Sequence, residues 1–233
     1  MDLSGKVCVI TGASSGIGQS LAIKTSLKGA TVVMAARRNS KLITIKEKID
    51  NEGGRCVGIK TDITKKLECK HLIDETINLY GKIDILILGA GVSMWSQFED
   101  ITDISFFDDL MATNYTGAVH CIHAALPHLI SSKGIIVSCS TAQALVGFTN
   151  HSGYAASKHA LHGFLDTLDM ELNGKVQFLE ACLGWIRGTN MRSNAFGPSG
   201  TKMGETKRKH SSNSVDLDIC TDKIINAIME RKK

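Results

Sequence analysis

Short apolar runs alternate with amphipathic stretches along the whole chain. The runs are Val7 to Thr11, Thr31 to Ala35, Cys56 to Ile59, Asp84 to Leu88, Ile135 to Ser138 and Val176 to Cys182. Each has strand length, and the fourth shows no polar alternation, as a strand covered on both faces should not. Between them the apolar spacing becomes helical. Ile17, Leu21 and Leu27 mark the first helix, and Leu42, Ile45 and Ile49 recur on one face of the second. Thr64 is placed to cap a third that turns Leu67, Leu72, Ile73 and Ile77 inward. Ile104, Phe107, Leu110, Met111, Ala118, Cys121 and Ile122 mark one long helix. Another runs from about Gly153 to Asn173, and a last one, capped by Ser214, carries Ile224, Ile225 and Ile228. An irregular stretch rich in Gly, Ser and Lys separates Gly184 from Asn213. Strand and helix in strict alternation predict an α/β fold, a doubly wound parallel sheet with helices on both faces. No linker or internal repeat interrupts it, so residues 1–233 read as a single domain.

The chain has 233 residues, 43% of them hydrophobic. That length buries roughly 70–75% of the unfolded surface, so folding needs neither disulfide nor metal. No apolar run approaches the ~20 residues that span a bilayer, and the first residues hold no signal-peptide core. The 7 cysteines sit in apolar runs or helical patterns. They read as reduced, buried, small hydrophobes, and the expected location is cytoplasmic. No cysteine or histidine spacing suggests a metal. The net charge of +4 is mild, and the one basic run, Lys207-Arg208-Lys209, lacks aromatic partners. It reads as a solvated loop, and no nucleic-acid partner is expected.

Directly after the first strand stands Thr11-Gly12-Ala13-Ser14-Ser15-Gly16-Ile17-Gly18, and a helix follows. Glycines let the backbone turn tightly and approach a pyrophosphate, and a helix N-terminus supplies free N–H groups. In the first βα unit this points to dinucleotide binding.

Tyr154-Ala155-Ala156-Ser157-Lys158 is the strongest chemical signal. Positions i and i+4 share a helix face, so the phenol and the ammonium enter the same space. A free phenol titrates near ~10. A cation ~4 Å away at an effective dielectric of ~20 is worth roughly 4 kcal/mol, or about three pKa units. The expectation is therefore a phenol brought toward neutral pH, able to pass a proton to or from an alcohol or carbonyl oxygen.

With this glycine turn and Tyr-x-x-x-Lys, the sequence resembles the short-chain dehydrogenase/reductase family in its single-domain form. The likeness extends from Gly5-Lys6-Val7 to the last helix. The Ala156-Ser157-Lys158-His159-Ala160-Leu161 run and the Cys182-x-Gly184-Trp185-Ile186 ending are most similar to its hydroxysteroid-dehydrogenase-like branch. The resemblance implies an oxidoreductase that moves hydride between a nicotinamide cofactor and a carbonyl or secondary alcohol. An apolar, steroid- or lipid-like substrate is implied. The implied catalytic residues are Asn114, Ser140, Tyr154 and Lys158. The family serine stands about 13 positions before the tyrosine, which lands on Thr141, whereas the motif's shape favours Ser140; both remain open. Asn114 would hold a water in the proton relay to Lys158.

The implied cofactor contacts are Gly12, Ser14, Ser15, Gly16, Ile17 and Gly18 at the turn, then Asp62, Ile63, Ala90 and Gly91. Tyr154 and Lys158 would hold the ribose, and Gly184, Ile186 and Thr189 the nicotinamide end. Ala36 stands where an NAD enzyme carries an acid. Arg37 follows, and Arg38 is next to it; the resemblance gives Arg37 to a 2′-phosphate, so NADP(H) is the preferred cofactor and NAD(H) the alternative.

Two motifs depart from the family. Leu88-Gly89-Ala90-Gly91 lacks two asparagines that brace the sheet, and Leu183-Gly184 replaces a Pro-Gly. These departures keep a second reading open, a non-catalytic NAD(P)-binding sensor or scaffold. The stretch from about 185 to 213, with Met191, Phe196 and Met203, is expected to form a substrate lid. A homodimer or homotetramer packed through the Asn114 and Tyr154 helices is implied. Relatives usually continue into a seventh strand where this sequence stops, at Glu230-Arg231-Lys232-Lys233. The sixth strand is therefore expected to be an exposed edge.

Overall fold

The computed structural model describes residues 2–205 and 213–231. The six apolar runs form one parallel sheet: β1 (Val7–Thr11), β2 (Thr31–Ala36), β3 (Arg55–Lys60), β4 (Ile85–Leu88), β5 (Ile135–Thr141) and β6 (Gln177–Leu183). Their spatial order is β3-β2-β1-β4-β5-β6. Alternate side chains feed two layers. Cys8 and Ile10 of β1 face one core with α1 (Gly16–Leu27), α2 (Asn39–Asn51) and α7 (Leu217–Met229). Val7 and Val9 face the other, built on α3 (Lys66–Tyr80), α5 (Gly117–Ser132) and α6 (Ser152–Leu172). This is the doubly wound sheet that the alternation predicts. The strand order reverses between β1 and β4, and the C-terminal ends of those strands open the crevice where such sheets bind ligands.

The expected long helix stays helical throughout but changes its winding in the middle. A short α4 (Phe106–Met111) leads into a π turn at Ala112–Thr116 before α5 begins. One inserted residue per turn re-aims the side chains there, and Asn114 is in that turn. Ile104, ahead of α4, is exposed.

Thr64 does not cap α3. Its N–H and hydroxyl both bond Asp62 Oδ1, at 3.1 and 2.9 Å, in a local Asx turn, and Leu67 is 79% exposed. Ser214 does not cap α7 either. Asp216 does, accepting from the Asp218 N–H at 3.1 Å. Ser214 instead precedes β8 (Val215–Asp216), which pairs with β7 (Ile186–Arg187) in a separate two-stranded ribbon.

The missing asparagine brace has a substitute. Thr11 Oγ1 donates to the Ile87 carbonyl at 3.3 Å and accepts from the Gly89 and Ala90 N–H groups at 3.2 and 3.3 Å. Cys8, Cys69, Cys121 and Cys220 are buried as expected, whereas Cys182 is exposed. β6 has β5 as its one strand neighbour among the described residues. The basic run Lys207-Arg208-Lys209 lies outside the described residues.

Candidate active site

The glycine turn closes because three positions tolerate no side chain. Gly12 has φ +69°, and a Cβ there would stand 2.6 Å from Ala90 Cα. On Gly18 a Cβ would stand 2.5 Å from the Gly12 carbonyl oxygen, and on Gly89 2.7 Å from that of Thr11. The turn is thus pressed against the end of β4, and the N-terminus of α1 opens beside it. No acidic residue occupies the first turn of α1, so its positive end is uncompensated by its own side chains. Arg38 reaches over the turn, donating from Nη2 to Ser14 Oγ at 3.0 Å and Ser15 Oγ at 3.1 Å. Arg37 is exposed on the same rim. This cradle fits a dinucleotide phosphate and, beside it, a further phosphate.

Asp62 and Ile63 line the same cavity. The Asp62 carboxylate is engaged by Thr64, as described. Ala90 and Gly91 continue the wall. A Cβ on Gly91 would lie 3.3 Å from Asn114 Oδ1 and 3.9 Å from Lys158 Nζ, so both groups face one space. Asn114 is buried and acts as a clamp. Its Oδ1 accepts from the Val92 N–H at 2.8 Å, and its Nδ2 donates to the Val92 carbonyl at 2.8 Å and to Ser157 Oγ at 2.9 Å. Both amide protons are therefore in use within the protein.

Tyr154 and Lys158 share one face of α6, with the ammonium 6.0 Å from the ring centroid. Lys158 is buried and donates to the Cys139 carbonyl of β5 at 3.3 Å. At the end of β5 the hydroxyl that meets the Tyr154 phenol is that of Thr141, and its hydrogen bonding favours the phenolate. Thr141 Oγ1 also accepts from the Gln143 N–H at 3.3 Å, which fixes its rotamer in a single-turn helix at Ala142–Ala144. Ser140 is buried and also lines the cavity.

The electrostatics differ from the sequence expectation. Burial pushes the Tyr154 phenol up to about 12, with the Thr141 hydroxyl opposing. Burial also pushes the Lys158 ammonium down from its ordinary value, with Cys139 and Glu180 opposing. At the phenol desolvation dominates, and the group that opposes it is the Thr141 hydroxyl rather than the Lys158 cation.

Turn, catalytic helix and strand end enclose one cavity of about 550 Å³. Gly184, Ile186 and Thr189 line it too, and Thr189 packs 3.7 Å from a Cβ position on Gly16. In the expected lid, Met191 faces the cavity. Phe196 does not; it is buried and stacks on Phe106 with centroids 5.1 Å apart. It forms bridges to Met94 and Lys202, so it anchors the segment. Met203 packs near Gly197 outside the cavity lining. Residues 206–212 of this stretch lie outside the described residues.

Sequence reasoning did not find the aromatic wall. Trp95, Phe148, His151 and Trp185 line the cavity, with Trp95 and Trp185 centroids 5.9 Å apart and Arg192 5.1 Å from the Trp95 ring. His151 sits edge-on to Tyr154 at 6.1 Å. Burial holds its imidazole below the usual value, so it is neutral at pH 7. One signal in the sequence pointed to it: it precedes Tyr154 by three residues, one helical turn.

Comparison with known proteins agrees with this geometry. The family model described as short chain dehydrogenase matches residues 6–198. An 11-beta-hydroxysteroid dehydrogenase of Pinus massoniana is 38% identical over 192 residues, covering 82% of this chain and 54% of that protein. The 11-beta-hydroxysteroid dehydrogenase-like 2 of Arabidopsis thaliana is 39% identical over 196 residues, covering 84% and 63%. The chain thus spans little more than half the length of the curated relatives it matches. Among solved structures, a short chain dehydrogenase/reductase of Burkholderia phymatum in complex with NAD superposes with a TM-score of 0.87 at 21% identity, covering 100% of this chain and 88% of that one. An alcohol dehydrogenase of Thermococcus sibiricus complexed with 5-hydroxy-NADP gives 0.83 at 22% identity, covering 97% and 90%. At such identities these two speak for the fold.

Proposed function

The chain belongs to the short chain dehydrogenase family, and on that premise we propose that it interconverts a ketone and a secondary alcohol on an apolar substrate, using NADP(H) in preference to NAD(H). The nicotinamide cofactor supplies the hydride chemistry when bound. One observation carries the reading: Tyr154, Lys158 and the Thr141 hydroxyl meet in the cavity that the glycine turn opens.

Tyr154 is the acid that gives its proton to the carbonyl oxygen during reduction, and the base in the reverse direction. Thr141 donates to the same oxygen and holds the substrate in line. Lys158 keeps positive charge beneath the phenol and binds the ribose. Asn114, through its clamp on Val92, holds the wall that Lys158 faces. Arg37, Arg38, Ser14 and Ser15 form the pocket for the 2′-phosphate. Trp95, Phe148 and Trp185 give the substrate an apolar wall. Gly184 to Thr189 cover the nicotinamide end.

A panel of cyclic and long-chain apolar ketones, offered with NADPH and with NADH, tests this. The expected result is NADPH oxidation that depends on a ketone of this class. Binding of NADPH without turnover of any ketone or alcohol would instead fit the non-catalytic sensor.

A further inference from the structure

The stripe that carries Tyr154 and Lys158 continues. At the same four-residue spacing α6 next presents His162 and Asp166, so four ionisable side chains follow one helix face from the cavity to the sheet edge. β6 sets Glu180 against that stripe. Glu180 Oε2 is 2.5 Å from His162 Nδ1, and His162 Nε2 is 3.5 Å from Asp166 Oδ2. The imidazole therefore meets a carboxylate at each nitrogen. Those nitrogens point to different sides of the ring, which suits a bridging pair better than ligands converging on one metal ion.

The second Glu180 oxygen, Oε1, is buried and has no hydrogen-bond partner among the described residues. Strand register pairs Glu180 with Ser138 of β5, whose Oγ is likewise buried and unpartnered. Native folds leave few such atoms, and each calls for a reason. The residue after Ser138 is Cys139, whose carbonyl holds the Lys158 ammonium. The orphaned carboxylate oxygen thus lies one strand away from the group that fixes the buried cation.

We propose that Glu180, tethered by His162, is a positioning residue whose negative charge keeps the buried Lys158 protonated. The idea rests on the role given to Lys158 above. The titratable groups that face Lys158 are Tyr154 on α6, Cys139 on β5 and Glu180 on β6. Those facing Glu180 are His162 and Asp166 on α6, Lys158, and Cys182 on β6. Burial pushes the Cys139 thiol up to about 12, so it is neutral at working pH. Glu180 is the carboxylate that opposes the desolvation of Lys158.

The test reads Lys158 without requiring turnover. Wild type, Glu180→Gln, Glu180→Asp and His162→Gln are labelled with trace acetic anhydride across a pH series, and the Lys158 peptide is quantified by mass spectrometry. Glu180→Gln should move the labelling midpoint to lower pH by about half to one unit, a threefold to tenfold gain in reactivity at fixed pH. Glu180→Asp should stay closer to wild type, and His162→Gln should shift in the same direction by less. In ketone reduction, the limb that reports Lys158 deprotonation should move with it, while KM for the ketone does not. Absence of turnover would count against the proposed reaction and leave the labelling result to decide on Glu180. Equal midpoints in wild type and a folded Glu180→Gln overturn the proposal. If that variant does not fold, an unshifted midpoint in His162→Gln overturns it equally. A zinc-dependent midpoint in wild type that Glu180→Gln abolishes would also overturn it, by making the cluster a metal site.

Discussion

The Thr141 hydroxyl meets the Tyr154 phenol across the mouth of β5, and its hydrogen bonding favours the phenolate. Ser140, one position earlier, lines the same cavity, but it is not among the groups that shift the phenol. On the proposed reaction, Thr141 is the hydroxyl that should orient the carbonyl oxygen. Thr141→Ala should lower kcat for ketone reduction about 10²–10³-fold, the usual loss for an oxyanion-type donor. Ser140→Ala should cost less than about tenfold. Steady-state kinetics of the two variants side by side decide it, and the reverse order would return the role to Ser140.

The pH dependence follows from burial. The phenol stands at about 12 and the Lys158 ammonium is lowered. At pH 7 the phenol is protonated, so ketone reduction has its acid in hand. Its kcat/KM should be level through neutral pH and fall at alkaline pH, as Lys158 loses its proton. Alcohol oxidation requires the phenolate and should climb with pH, by at most about tenfold per unit. Opposite slopes in the two directions, measured in one buffer series, are the expected outcome.

On the proposed preference for NADP(H), Arg38 should matter as much as Arg37. Arg38 is already oriented by Ser14 and Ser15 at 3.0 and 3.1 Å. Charge-assisted hydrogen bonds contribute roughly 1.5–3 kcal/mol each. Arg38→Ala should therefore weaken NADPH binding about tenfold or more and leave NADH nearly unchanged. Arg37→Ala should act in the same sense, and adding Ala36→Asp should shift preference toward NADH. Dissociation constants by fluorescence titration give the ratio directly; equal values for both cofactors in wild type would contradict the assignment.

Thr11 carries the brace that the absent asparagines would have supplied. Thr11→Val keeps the shape and removes the hydroxyl, leaving the Gly89 and Ala90 N–H groups without that acceptor. The two donors are partly buried, and leaving such groups unsatisfied costs up to about 1–3 kcal/mol. At about 2–4 °C per kcal/mol for a chain of this size, thermal unfolding should come roughly 2–12 °C earlier. A midpoint within a degree of wild type would show that the brace lies elsewhere.

The sheet was legible because each strand is a compact apolar run, and covering both faces leaves no competing pattern. Tyr154-x-x-x-Lys158 was legible because helical spacing alone puts the pair on one face. The π turn at Ala112–Thr116 was not, since the apolar period runs on through it and Gly117, at its end, reads as one more helical residue. Leu67 was misplaced inward because one apolar residue near a helix start satisfies the period without being buried. Ser140 and Thr141 could not be separated by spacing: both line the cavity, and which one meets the phenol depends on how β5 docks on α6. The aromatic wall assembles from three separate loops. Glu180 shows its significance only when β6 is laid beside α6.

On the proposed reaction, Tyr154 is the group that passes the proton as hydride moves. NADPH oxidation with the best ketone of the panel, measured for wild type and Tyr154→Phe together with NADPH affinity, tests it most directly. Tyr154→Phe should bind NADPH within about threefold of wild type, a difference well under one kcal/mol, and lose at least about 10²-fold in kcat. Equal turnover by the two proteins would contradict it.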